Sequence, residues 1–162
     1  MGRGRRYHRE MKSTGTAFKV RAASWAEDFA ALRTVRETVF VVEQDVPVEL
    51  EWDGLDEGCR HLLAEDTHGR PIGCVRLLPD GHIGRMAVLA PWRGRGVGRA
   101  LLRAMLVQAA ASGFAVVRLN AQVQALGFYA REGFQACGDM FDDAGIAHRA
   151  MQLALQDHRS DR

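Results

Sequence analysis

The 162-residue sequence is poor in the residues that staple or segment a chain. It has three cysteines, Cys59, Cys74 and Cys137, an odd number with no Cys-x-x-Cys pair. That excludes a disulfide framework and the usual zinc motifs, so no metal is expected, and a reducing cytoplasm is the natural compartment. Four prolines leave little scope for a Pro-rich linker. No run of 18 apolar residues occurs, so no membrane-spanning helix and no membrane partner are expected. Residues 1–16 lack the apolar core of a secretory signal. Charge of one sign is also missing, with a net value of only +2. Arg3, Arg5, Arg6, Arg9 and Lys12 against Glu10 place +4 in the first twelve residues, which leaves −2 for the rest. The body is therefore not a basic surface, and no nucleic-acid partner is expected.

What is present is an ordinary globular composition, 47% hydrophobic and 26% charged, on a length suited to one domain. Residues 1–16 read as a disordered basic tail, 17–155 as a single domain and 156–162 as a polar tail. Phe18 to Ala22 alternates as a strand. Ser24, with Glu27 at the capping-box position, predicts a helix running through Phe29, Leu32, Val35, Arg36 and Val39. Residues 48–58 are acidic and irregular, with Trp52 and Leu55 as anchors, and could line an entrance for a cationic substrate. Strands at 60–65, 72–78 and from His82 are separated by turn signals at 67–71 and 79–81, which predicts an antiparallel meander.

The stretch from Ile83 to Leu102 organises the remainder. A strand runs to Leu89, a turn carries Arg93, Gly94, Arg95, Gly96 and Gly98, and Leu101, Leu102, Met105 and Leu106 recur at helical spacing. A glycine-rich turn feeding a helix start is an anion site, because the first helical N–H groups lack partners and the helix dipole adds positive charge. Arg93, Arg95 and Arg99 add formal charge around it. A Walker loop is excluded, since no Lys-Ser or Lys-Thr follows the glycines. A dinucleotide fingerprint fits poorly: counting from Gly94 the sixth position is Arg99, and no acid stands near position 118. The helix should end at Gly113, and a buried strand, Phe114 to Asn120, should return parallel to the strand at 82–89. A short helix from about Gln124 should stop at Gly133, and a last strand should span His148 to Leu155.

The pattern Arg93-x-x-Gly96-x-Gly98 after Met86-Ala87-Val88 resembles the acyl-CoA signature of the GNAT N-acetyltransferases. Ala125, Tyr129, Gly133 and Phe134 match that superfamily's second signature, with Gln122 where Asn is usual. Arg36-x-x-Val39-Phe40-Val41-Val42-Glu43-Gln44, Arg60-His61, Gly84-Arg85, Ala121-Gln122, Phe128-Tyr129 and Gly145-Ile146-x-His148 together resemble its ElaA-type branch, where Gln122 is regular. The resemblance spans roughly residues 18–155. It implies an α/β fold: a mixed, mainly antiparallel twisted sheet with helices on both faces and splayed central parallel strands. It implies acetyl-CoA as cosubstrate, bound by Met86, Ala87, Val88, Arg93, Gly94, Arg95, Gly96, Val97, Gly98, Arg99, Gln122, Ala125, Phe128 and Tyr129. The acceptor would be an amine on a small molecule or on a lysine side chain, and dimers are common in the family.

Transfer of an acyl group to an amine requires a donor for the oxyanion, a base for the amine and an acid for the thiolate. The resemblance implies an N–H near Val88 for the first and Tyr129 for the last; an intrinsic pKa near 10 keeps that phenol protonated. For the base, Glu43, His61 and His148 stay open. Glu43, His61 and Arg85 are the expected acceptor-side residues, with Arg85 either binding a carboxylate or pairing with Glu43. The competing readings are a non-catalytic acyl-CoA-binding module and an acyl-homoserine-lactone synthase-like enzyme.

Overall fold

The computed structural model describes residues 17–155. The expectations for residues 1–16 and 156–162 lie outside the described residues. Strand β1 (Phe18–Ala23) leads into helix α1 (Trp25–Arg36), which continues as a π-helical stretch, Glu37–Glu43. A one-turn helix α2 (Val48–Glu51) precedes the meander β2 (Arg60–Asp66), β3 (Pro71–Leu77) and β4 (Ile83–Val88). Then come helix α3 (Val97–Ala111), strand β5 (Val116–Gln122) and helix α4 (Leu126–Arg131). Strands β6 (Gln135–Ala136), β7 (Phe141–Asp143) and β8 (Ile146–Ala154) complete the described chain.

Ser24 caps α1 as the sequence predicts, its hydroxyl accepting from the Glu27 N–H at 3.1 Å. The reciprocal bond comes from a different acid, however. Asp28, not Glu27, accepts the Ser24 N–H at 2.9 Å, and it also pairs with Arg21 on β1. Those two donors, Arg21 first, hold the Asp28 carboxyl below the usual carboxylate range. The helix start is thereby tied to the neighbouring strand.

The strands form two four-stranded sheets, β1-β2-β3-β4 and a second built of β5, β8, β6 and β7. All pairings within them are antiparallel. The expected parallel contact between β4 and β5 is confined to one bridge, His82 with Arg118, backed by an N–H bond from Arg118 to Gly81. Beyond that hinge the two strands part, and a V opens toward Val88 and Gln122. Helices cover both faces of the first sheet. Leu101, Leu102, Met105 and Ala109 of α3 pack with Leu62, Ala64, Val75 and Leu77. Leu32 and Val35 of α1, with Val39 beyond it, pack with Leu63, Cys74 and Ala87 on the other side. Alternation along β2, Leu62 and Ala64 one way and Leu63 the other, produces this division. Each fully buried leucine contributes about 1.5–3 kcal/mol of apolar transfer. Close approach of α3 depends on Gly73, where a Cβ would lie 3.0 Å from Leu101 and 3.1 Å from the Ala87 carbonyl oxygen.

Candidate active site

The site is assembled where β4 ends. The Leu89 N–H donates to Ile72 C=O, and Val88 lies opposite Gly73 in the ladder. In an antiparallel pair this puts Val88 in a non-hydrogen-bonded position, so its own N–H and C=O face away from β3, into the V. The Val88 carbonyl is taken by Arg93 Nε at 2.9 Å. Ala87 sits one step back, with its side chain in the core and its polar backbone turned toward Cys74 of β3. Among the expected β4 residues, Val88 rather than Ala87 therefore presents a polar group to the cleft. Met86 is half-buried against the core.

Helix α3 begins at Gly96, which adopts φ +86°, a left-handed conformation costly for any residue with a Cβ. Its carbonyl accepts the Ala100 N–H, the first helical bond, and no side chain caps the N–H groups of Val97, Gly98 and Arg99. A Cβ built at Gly94 or Gly96 meets nothing within 4 Å, and one at Gly98 touches only Phe128 and Val88 at ordinary contact distance. The turn is thus an open, uncapped helix start, a shape that fits a phosphate group. Val97 is fully buried and offers its backbone alone.

The three arginines around the turn are engaged separately. Arg95 lies over the Trp92 ring at 5.3 Å. Arg99 and Arg103 share Glu132 at 3.1 and 3.0 Å. Arg93 reaches back to Glu43, Nη2 to Oε2, at 2.7 Å. Glu43 closes the π-helical stretch, and the next residue, Gln44, accepts from Gln122 Nε2 of β5 at 2.9 Å. The end of the first helix is thereby fastened to both arms of the V.

Tyr129 projects from α4 and packs edge-on against Phe128 and Phe134, with ring centroids 5.0 and 5.9 Å away. Burial pushes its phenol up to about 12. Its hydroxyl makes no hydrogen bond to protein among the described residues. Ala125 ends the short turn that carries the chain from β5 into α4. His148 of β8 stands opposite Gln122 in the ladder, so the two side chains share a face. Its Nδ1 lies 2.7 Å from the Ile146 carbonyl, and its ring stacks on Phe141 at 5.9 Å.

His61 and Arg85 lie apart from this cluster. His61 is 3% exposed, stacks on Trp25 at 5.6 Å and bonds the Asp56 carbonyl through Nε2 at 2.8 Å. Burial lowers its pKa against the pull of that bond. The pairing of Arg85 with Glu43 is corrected by the structure, because Glu43 is claimed by Arg93. Arg85 instead turns to Glu51, with Nε 3.0 Å from Oε2, and to Asp53 at 3.3 Å. It sits at φ +49° in the irregular part of the β3–β4 ladder, and its Nη2 also reaches the carbonyls of Leu50 and Glu51.

Arg85 is the outer member of a network that sequence reasoning missed. Arg36, 1% exposed, binds Glu51 at 2.7 Å and Asp56 at 2.6 Å. Arg76 binds Asp56 at 2.9 Å and also Asp53. Burial would raise the Asp53 carboxyl, but the Arg76 and Leu55 hydrogen bonds and the nearby cations bring it down to about 2. Trp25 and Trp52 lie against the Arg36 guanidinium at 5.5 and 4.8 Å, and a cavity of about 340 Å³ beside them is lined by Trp25, Phe29, Arg33 and Trp52. The acidic run at 49–57 was the available signal, since so many carboxylates beside tryptophans imply buried cations. Among the described residues no helix is long and apolar enough to cross a membrane.

Two sheets splayed over an uncapped, glycine-rich helix start define a class of acyl-transfer domain. Comparison with known proteins places the chain within it: residues 30–155 match the acetyltransferase (GNAT) domain family, and the chain belongs to that family. It is similar to the uncharacterised N-acetyltransferase YjcF of Bacillus subtilis, 40% identical over 72% of this chain and 86% of that protein. Among solved structures it resembles an acyl-CoA N-acyltransferase from Pseudomonas aeruginosa, with 31% identity, a TM-score of 0.76, and coverage of 85% of this chain and 99% of that one. It also resembles Escherichia coli ElaA, with 28% identity, a TM-score of 0.75, and coverage of 83% and 98%. The chain is accordingly an acetyltransferase of mixed α/β fold.

Proposed function

We propose that this acetyltransferase uses acetyl-CoA and transfers the acetyl group to a primary amine by direct attack within a ternary complex. The observation that carries this reading is the Val88 N–H, turned into the V beside an uncapped helix start. Acetyl-CoA would supply the thioester, with its pyrophosphate on the turn of Gly94, Gly96 and Gly98 and its arm along β4.

The protein groups then divide the work. The Val88 N–H stabilises the charge that develops on the carbonyl oxygen. Glu43 takes the amine proton, directly or through water, with its Oε1 left for that purpose by the bond of Oε2 to Arg93. The Tyr129 phenol, whose pKa of about 12 keeps it protonated, gives a proton to the leaving thiolate. His148 and Gln122 line the acceptor side from the second sheet. His61 serves as a buried brace rather than a base, and Arg85 braces the acidic loop.

The acceptor we favour carries positive charge. Asp45 and Glu49, just beyond Gln44, and Asp142 and Asp143 on β7, which pairs with β8 next to His148, are exposed carboxylates. A polyamine or a lysine side chain fits that field. Calorimetry with acetyl-CoA, followed by free-thiol release against spermidine, lysine peptides and neutral amines, tests the reading. Binding with release that is fastest on the cationic amines is expected. Absence of acetyl-CoA binding overturns the assignment, and binding without release on any amine favours the acyl-CoA-binding module instead.

A further inference from the structure

We propose that Arg93 is a positioning residue for acyl transfer, acting through its guanidinium on Val88 and Glu43, while the phosphate is left to the N–H groups of the helix start. The inference rests on the acetyl-transfer reading above. Three observations carry it. Nε donates to the Val88 carbonyl at 2.9 Å, so the peptide that follows the thioester-facing N–H is held in one orientation. Nη2 holds Glu43 Oε2 at 2.7 Å, which fixes the carboxylate of a residue 50 positions away in sequence. The adjacent Gln44–Gln122 bond ties the same helix end to β5, so the frame reaches both arms of the V.

The guanidinium is suited to this and an ammonium is not. Its planar fork presents two donors in fixed relation, one for a carbonyl and one for a carboxylate. The side chains of Arg93 and Glu43 are 46% and 32% exposed. An ion pair that open to water adds little to folding stability, so its yield is geometry. The phosphate turn has other donors in the uncapped N–H groups of Val97, Gly98 and Arg99.

The test uses the full chain with Arg93→Gln, Arg93→Lys, Glu43→Gln and the Arg93→Gln/Glu43→Gln double variant. Calorimetry with acetyl-CoA and with CoA gives affinity, thiol release at saturating acetyl-CoA gives kcat, and thermal melts check folding. We expect Arg93→Gln to keep both affinities within about 3-fold while kcat falls at least about 10-fold. Arg93→Lys should fail to restore the rate. The double variant should be no slower than the slower single variant, because the two side chains act as one unit. An affinity loss of about 10-fold or more with kcat unchanged would overturn the inference and make the guanidinium a phosphate ligand. Multiplicative losses in the double variant would overturn it as well. A wild-type protein that does not bind acetyl-CoA refutes the functional reading itself. A wild type that turns over while Arg93→Gln matches it refutes the positioning role alone.

Discussion

Two polar regions of this molecule follow opposite rules. Under α1 and the acidic loop, Arg36, Arg76 and Arg85 meet Glu51, Asp53 and Asp56, three cations with three carboxylates, and Arg36, Glu51 and Asp56 are almost entirely buried. At the V between β4 and β5, beside the Arg93–Glu43 and Gln44–Gln122 pairs, the Val88 N–H and the first N–H groups of α3 stand without such partners. Paired charge marks structure, because a buried charge survives only when paired. Each of these arginines faces a carboxylate, even though Arg76 Nε and Trp52 Nε1 have no hydrogen-bond partner among the described residues. Groups held in place yet left unsatisfied mark the place where a ligand completes the bonding. Charge density alone points to the closed region instead.

The sharpest way to break the open region is to fill it. Gly98→Glu should abolish acetyl-CoA binding by calorimetry, because it puts a carboxylate at an uncapped helix start. Gly98→Ala should bind normally, since its Cβ meets only ordinary contacts at 3.6–3.7 Å. An unaffected Gly98→Glu would show that the phosphates lie elsewhere. In the closed region the counterpart is Arg36→Ala. It leaves Glu51 and Asp56 short of a cation, and urea titration should show a loss of about 3–5 kcal/mol. A loss below about 1 kcal/mol would mean that the network does not anchor the acidic loop.

Tyr129→Phe separates function from packing. It keeps the ring against Phe128 and Phe134 and removes only the hydroxyl, so kcat should drop about 10²-fold with acetyl-CoA affinity unchanged. Because burial holds the wild-type phenol near 12, no loss of rate from tyrosine ionisation should appear below about pH 10. Wild-type turnover by the variant would remove Tyr129 from the acid role.

The smallest effect concerns acid. Asp53 has a folded pKa of about 2, below its unfolded value of about 4. A depressed carboxylate contributes stability above the unfolded value, and that contribution fades as pH falls through the folded one. Melting temperatures should therefore decline between about pH 4 and pH 2 in the wild type, and less steeply in Asp53→Asn. Parallel curves for the two proteins would show that the closed region is not where acid acts.

Much of the fold was legible because its signals are local. Turn signals at 67–71 and 79–81 mark the meander, the spacing of Leu101, Leu102 and Met105 marks the long helix, and Ser24 marks a helix start. The glycine turn was legible for the same reason: a left-handed backbone position just ahead of a helix selects glycine over any residue with a Cβ. The π-helical stretch was not legible: Val39-Phe40-Val41-Val42 is apolar on every side and carries no phase. Nor was the choice of partners. Pairing with Glu43 was one of two expectations for Arg85, and the structure gives it Glu51 and Asp53 instead.

The sequence by itself determined the order of elements, the phosphate-type turn and the place of Tyr129 on the short helix after β5, all set by neighbours within a turn or two of chain. Only the tertiary structure decided that Arg93 holds Glu43, that Gln44 meets Gln122, and that Arg36 is buried with Glu51 and Asp56. Those pairings join residues 15 to 78 positions apart. Charge and hydrogen bonding act across space with no period along the chain, so packing had to bring the partners together before any of them could be named.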